Sequence, residues 1–390
     1  MSSRSFFKVF FLLFFFTSTI SQAQSWITRR ISNNRGFSYR PKIAVNSTNV
    51  YIVWDDDTLG NSEIFLRSSK NGGATWSLQK NISSSPGDSL MPDLAASGSY
   101  VYIVWEDFID SNSSIYFKRS KDGGLTWSNA KHIATAPGSG GWPSIAANEE
   151  QVFVAWSYDL NVIGNYEIYF STSNDAGISW TPIKRLSYAS GLSYWPKIAI
   201  AGSSAFVVWM EELPEYNNQI NFKRSINGGK SWKAPVKLSP SSADSWWPRL
   251  AVVDPFVYVV WGNYVNYQSN GVCFKKSSNR GVSWSTTDFF DTKGGEIDIA
   301  AKGTDLYVVW DDTGLVFSKS NDQGDSWIDP VKLSYKVAGM PRIAITESSN
   351  IYIVYAEPLS SNYQGNWDIY LKYTKKPSGR YTVGRAAPRY

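Results

Sequence analysis

Short apolar runs, separated by glycine-, serine- and asparagine-rich connections, recur along the whole chain, and no stretch holds a long helical period. Some are β-branched runs that end in a large ring, as in Val101-Tyr102-Ile103-Val104-Trp105. Others alternate apolar with polar residues, as in Ile115-Tyr116-Phe117-Lys118-Arg119. Both kinds have the length and composition of β-strands. The pattern predicts an all-β protein.

The strands fall into units of one order. A residue, usually proline, opens a short strand ending Ile-Ala or Leu-Ala. The seven are 41–44, 92–95, 143–146, 196–199, 248–251, 297–300 and 341–344. The second strand ends in Trp54, Trp105, Trp156, Trp209, Trp261 or Trp310, with Tyr355 in the last unit. A carboxylate-rich loop leads to a third strand. In six units there follows Ser-x-Asp/Asn-x-Gly-x-Ser/Thr-Trp, as in Ser120 to Trp127, and then a fourth strand.

The motif tryptophans (Trp76, Trp127, Trp180, Trp232, Trp284 and Trp327) lie 51, 53, 52, 52 and 43 residues apart, the spacing of a repeat array. The motif reads as a tight hairpin. Its Asp or Asn accepts backbone N–H groups, and its fifth-position glycine takes positive φ without steric cost. Its tryptophan fills the space between neighbouring sheets, worth roughly 2–3 kcal/mol of burial.

The seventh unit lacks the motif, but Ser25 to Ser32 (SWITRRIS) matches Ser326 to Ser334 (SWIDPVKLS). The chain start therefore supplies the missing outer strand, paired beside Ile369 to Tyr373. Closure of this kind leaves no unpaired seam between blades. The expected architecture is a seven-bladed β-propeller of four-stranded antiparallel blades over residues 24–374.

The repeated motif resembles the Asp box of bacterial and animal sialidases and several other β-propellers. The resemblance covers nearly all of the chain after its first residues, and implies that the boxes lie on the face away from the functional site. In the sialidases of that family three arginines hold the substrate carboxylate, a Tyr–Glu pair is the nucleophile and an Asp is the acid/base. One arginine stands in an aromatic-Arg-Ile-Pro motif. Tyr39-Arg40-Pro41 is similar but lacks the isoleucine, which makes Arg40 a candidate ligand residue. The enzymes usually have six blades where seven are counted here. Seven-bladed relatives include fucose-binding lectins and modules of polysaccharide hydrolases.

Composition narrows the class. Arg4 precedes and Lys8 interrupts an apolar run from Phe6 to Phe16, followed by Ser21-Gln22-Ala23, so residues 1–23 read as a secretory signal and the protein as secreted; a secreted chain without a disulfide framework suggests a prokaryote. No later stretch reaches transmembrane length. A net charge of +5 is too slight to imply nucleic acid. The single cysteine, Cys273, excludes a disulfide framework. The single histidine, His132, aligns with the basic residues of an outer strand, which disfavours Ser-His-Asp or Cys-His catalysis and histidine-clustered metal sites, and no cofactor is expected. Residues 375–390 form a basic tail.

Five tryptophans serve no repeat position: Trp142, Trp195, Trp246, Trp247 and Trp367. Four precede a first strand and Trp367 ends a second-to-third loop, so all belong to the face opposite the boxes. The carboxylate loops share that face, with loop tyrosines that include Tyr216, Tyr267 and Tyr363. Aromatic planes beside carboxylates suit sugars, whose C–H faces stack and whose hydroxyls donate.

Strand alternation points Lys42, Asp93, Ser144, Lys197, Arg249, Asp298 and Arg342 toward the central channel. Lys197, Arg249 and Arg342 there could receive a carboxylate or phosphate. The expected function is glycan or polysaccharide binding without catalysis. The alternatives are a sialidase-like hydrolase drawing on Glu211, Glu212, Asp107 or Asp159, and an extracellular scaffold for a protein partner.

Overall fold

The computed structural model describes residues 25–374, except 110–111, 135–139, 160–163, 189–190, 214–216, 241–243, 266–267, 291–293 and 360–365. The leader, the basic tail, Tyr216, Tyr267 and Tyr363 lie outside the described residues. No helix among the described residues is long and apolar enough to cross a membrane.

Seven four-stranded antiparallel sheets make up the fold. Blade one consists of Ser38–Asn46, Asn49–Asp56, Glu63–Ser69 and Lys80–Asn81. Blades two to six repeat this order through residues 88–134, 140–185, 192–237, 244–290 and 297–334. Blade seven takes Gly339–Ile345, Ile351–Pro358 and Trp367–Thr374 from the chain end and Trp26–Arg30 from its start. Trp26 pairs with Thr374 and Arg30 with Tyr370, so the predicted closure is present. The first strands of successive blades touch in an unbroken cycle, seven back to one, and these strands surround the axis.

The second strands carry the core because each is sandwiched between its own sheet's neighbours and the next blade. Trp54, Trp105, Trp156, Trp209, Trp261 and Trp310, with Tyr355, are all fully buried, one in each of seven separate inter-blade cores. The motif tryptophans seal the same seams from one end. Trp180, Trp232, Trp284 and Trp327 each set an edge against a third-strand phenylalanine of the preceding blade, at 4.9–5.3 Å between centroids. Trp26 does the same to Phe317 at 5.5 Å, the contact its sequence match predicts.

The six motif hairpins share one conformation. In the copy of blade two, Asp122 Oδ1 accepts the N–H groups of Leu125 and Thr126. Ser120 Oγ accepts those of Asp122 and Gly124 and donates to Asp122. Gly124 has φ 86°, and its counterparts lie between 75° and 86°. Ser120 is buried, so Ser120→Ala leaves two backbone donors unsatisfied. It is expected to cost about 1–2 kcal/mol in chemical denaturation, with no change in the m-value.

Candidate functional site

Each first strand except that of blade six begins with a bulge. The register shifts at Tyr39/Lys42, Leu90/Asp93, Gly141/Ser144, Tyr194/Lys197, Trp246/Arg249 and Gly339/Arg342. Two residues, the second always proline, face no partner at each of these points. The residue before the proline adopts φ > 0 in all six cases: Arg40, Met91, Trp142, Trp195, Trp247 and Met340, at 48–55°. For non-glycine residues this region costs about 1–3 kcal/mol each, and a bulge re-aims a side chain. Here it turns six side chains into the mouth of the axial channel.

These six residues, with Glu296 in the seventh place, form a collar around a cavity of about 410 Å³. Lys42, Lys197, Arg249 and Arg342 line its floor. The collar has two sides. Across blades three to five, Trp142, Trp195 and Trp247 make a contiguous aromatic wall, with centroids 6.1 Å apart at both steps. The other blades contribute Glu296, Met340, Arg40 and Met91.

The floor sorts its side chains by length. Short acceptors stitch blades together: Asp93 takes the N–H of Ile145, Ser144 that of Ile198 and Asp298 that of Ile343. The long cations reach inward. Arg342 Nη2 lies 2.8 Å from Glu296 Oε2 and Arg249 Nη2 3.6 Å from the same oxygen. Lys197 Nζ is 3.6 Å from Asp93, and Lys42 has no ion pair among the described residues. Five cations (Arg40, Lys42, Lys197, Arg249, Arg342) stand against four acids (Asp55, Asp93, Glu296, Asp298), leaving a formal surplus of +1.

Burial pushes the Lys197 ammonium down to about 8 despite Asp93, and holds Lys42 well below the ordinary lysine range, with Arg342 and Lys197 adding to the effect. Burial alone would raise Glu296, but the guanidiniums of Arg342 and Arg249 overcome it and hold the carboxyl down. Such a floor favours an incoming anion, which supplies the negative charge the lysines lack.

Trp246 is placed differently from its neighbour Trp247. It packs against the core between blades four and five, 5.8 Å from both Trp195 and Trp247. Trp367 stands edge-on to Tyr39 at 5.7 Å and lines a shallower groove beside Arg40 and Asp55. None of the four acids singled out for catalysis lines the central cavity. Asp107 is held by the indole N–H of Trp105 and the hydroxyls of Ser85 and Ser89. Asp159 accepts the N–H of Gly164, and Glu211 the side-chain amide of Asn221 at 2.8 Å. Glu212 lies between Leu192 and Asn218 in the sheet of blade four.

Three other carboxyls stand nearer the collar, each in the position after a second-strand tryptophan. Asp55 pairs with Arg40 at 2.9 Å and is raised by burial to about 6. Glu106, raised by burial to about 7, accepts the Ser113 hydroxyl. It packs so closely on Gly141, beside Trp142, that a methyl group there would meet Oε2 at 1.9 Å. Asp311 is raised to about 7 by burial and by Glu296. Glu296 carried no motif signal, because blade six has neither the proline nor the aromatic. Its offset from the Ile-Ala pair, the same as that of Trp142 or Trp247, identifies it. No group of acidic, histidine or cysteine side chains among the described residues could hold a metal ion.

No protein-family model and no curated protein matches the chain. Among solved structures it is similar to a protein of unknown function from Dyadobacter fermentans, with a TM-score of 0.56 at 13% identity over 89% of this chain and 98% of that one. It is also similar to a Trypanosoma rangeli sialidase in complex with sialic acid. There the TM-score is 0.54 at 10% identity, over 90% of this chain and 59% of that one. The same sialidase with the inhibitor DANA gives 0.54 at 10% identity over 89% and 59%. At such identities the likeness is one of fold: a sialidase-like β-propeller, which spans about three-fifths of the trypanosomal enzyme.

Proposed function

We propose that the protein is a secreted carbohydrate-binding propeller that seats an acidic sugar in the mouth of its central channel. The observation that carries this reading is the collar: three tryptophans, each held in a strained pre-proline conformation, standing above a floor with surplus positive charge. A pyranose offers apolar C–H faces to the indoles and an acidic group to the floor, and both halves of the site then have a partner. That the structurally similar trypanosomal sialidase holds sialic acid is consistent with this choice of ligand.

A glycan array of neutral and acidic saccharides tests it. Acidic saccharides are expected to bind, and Trp142→Ala, Trp195→Ala and Trp247→Ala each to weaken them about tenfold, the loss of one stacked ring. Binding unaffected by all three substitutions would overturn the reading. Affinity is also expected to depend on pH. The Lys197 ammonium is charged below about 8 and an anion stabilises that form, so affinity holds below pH 8 and falls above it. Titration calorimetry at pH 8 would register proton uptake on binding.

A hydrolase is the second reading, favoured by Asp55, Glu106 and Asp311. Carboxyls that hold a proton near neutral pH are what general acids require. Turnover of fluorogenic glycosides that Glu106→Gln abolishes would support it over simple binding.

A further inference from the structure

The cations around the cavity are not equivalent. Arg249 and Arg342 already share one carboxylate oxygen of Glu296, Arg40 is engaged by Asp55, and Lys197 faces Asp93. Lys42 lines the same floor with no ion pair among the described residues. Glu296 therefore occupies, from within the protein, the place that an acidic group would otherwise take between the two guanidiniums.

Its position in the chain explains how it reaches there. Six collar residues precede a proline on a bulge, whereas Glu296 precedes Ile297 on a strand paired without a register shift. A carboxylate just before that unbulged strand is aimed across the seam at Arg342 of blade seven and back at Arg249 of blade five. Burial opposes its ionisation, and the two guanidiniums overcome that and keep it charged.

We propose that the cavity selects singly charged sugars, with Lys42 taking the ligand's one acidic group while Glu296 turns away a second. The inference rests on the acidic-sugar reading and adds which charge state is chosen and by which residues. A ligand with one carboxylate gains a charge-assisted hydrogen bond at Lys42. Its hydroxyls donate to Glu296, whose oxygens have capacity beyond the arginines. A second anionic group has to displace Glu296 from Arg342 or lie beside it. Like charges brought together in a half-buried site repel strongly, so the doubly charged ligand is discriminated against.

Three disaccharides of similar size separate the possibilities: unsulfated unsaturated chondroitin disaccharide (one carboxylate), its 4-sulfated form (two anionic groups) and neutral N,N′-diacetylchitobiose, called chitobiose below. Binding to the full chain is followed by the quenching of tryptophan fluorescence. The unsulfated disaccharide is expected to bind about tenfold more tightly than either of the others, the scale of one charged hydrogen bond. Lys42→Met should reduce it to the level of chitobiose, and Lys42→Arg should restore it. Glu296→Gln, an isosteric change, should release the arginine pair and invert the preference, so that the sulfated form binds best. A wild-type preference for the sulfated form, an unchanged ratio in E296Q, or unimpaired binding in K42M would overturn the proposal while leaving carbohydrate binding intact. No binding of any of the three disaccharides by folded wild-type protein would remove the acidic-sugar reading together with it.

Discussion

Removal of residues 26–33 is expected to abolish the folded monomer, because it takes away the outer strand of blade seven and unseals the ring. Five residues pair with the last strand of the chain, from Trp26 opposite Thr374 to Arg30 opposite Tyr370. The wholly buried carboxylate of Asp368 is satisfied by Arg30 and by the Ser32 hydroxyl at 2.7 Å, and Ser32 also accepts the N–H of Ile369. Stripping these partners leaves a buried charge unpaired, a defect worth about 3–5 kcal/mol. The lost burial of Trp26 and Ile31 adds roughly 2–4 kcal/mol. Together these rival the whole stability of a typical domain, about 5–15 kcal/mol. Thermal melts and size-exclusion chromatography would show loss of the cooperative transition or association through the freed edge. A variant with the same segment joined after Thr374 should recover both. A deletion that melts like the intact protein would refute the importance of the closure.

The second large effect concerns acidity. Asp55, Glu106 and Asp311 titrate near 6, 7 and 7 in the folded chain, above the unfolded carboxyl values of 3.8 to 4.5. A raised carboxyl contributes stability that is fully present below its unfolded value and lost as pH rises through its folded value. Stability is therefore expected to climb as pH falls from 8 to about 5. Below about 4 the trend reverses, because hydrogen bonds from their own hairpins hold Asp122, Asp175 and Asp322 below the usual range and protonation breaks those bonds. Lys42 acts in the opposite sense in the upper window, so the decisive quantity is the difference between variants. Glu106→Gln and Asp311→Asn should each stabilise the protein at pH 8 by about 2–3 kcal/mol, and the gain should vanish near pH 4. Urea denaturation at the two pH values measures it. A gain of equal size at both would show that ionisation is not its source.

Much of the architecture is legible in the chain because the repeat writes the same physical requirement seven times. The second strands ending in a large ring and the hairpin motif recur every 43 to 53 residues, and the match of SWITRRIS to SWIDPVKLS identifies the borrowed strand. Alternation also accounts for Lys197, Arg249 and Arg342 lining the channel floor, since each strand is regular from that point on.

The collar is harder to read. A two-residue period puts Trp246 and Trp247 on opposite faces without saying which is which. Only the bulge, with φ near 50° before proline, sends Trp247 to the cavity and leaves Trp246 against the core. Loop acids are harder still. Asp55 directly follows Trp54 and faces an arginine at the cavity rim, whereas Asp107, two residues after Trp105, is held by an indole and two serines. The serines stand 22 and 18 residues before Asp107 and Arg40 stands 15 before Asp55, and only the folded blade brings these groups to the carboxyls.

The bulges also separate two kinds of constraint on the protein. Inter-blade cores are filled mainly from the second and third strands and from the motif tryptophans, while the pre-proline side chains line the channel mouth, with Trp195 also touching the core between blades four and five. Arginine, methionine and tryptophan occupy these posts on nearly identical backbones. One backbone conformation thus accepts three chemically different side chains at the rim, so the character of the channel mouth can vary from blade to blade while the blade geometry stays the same.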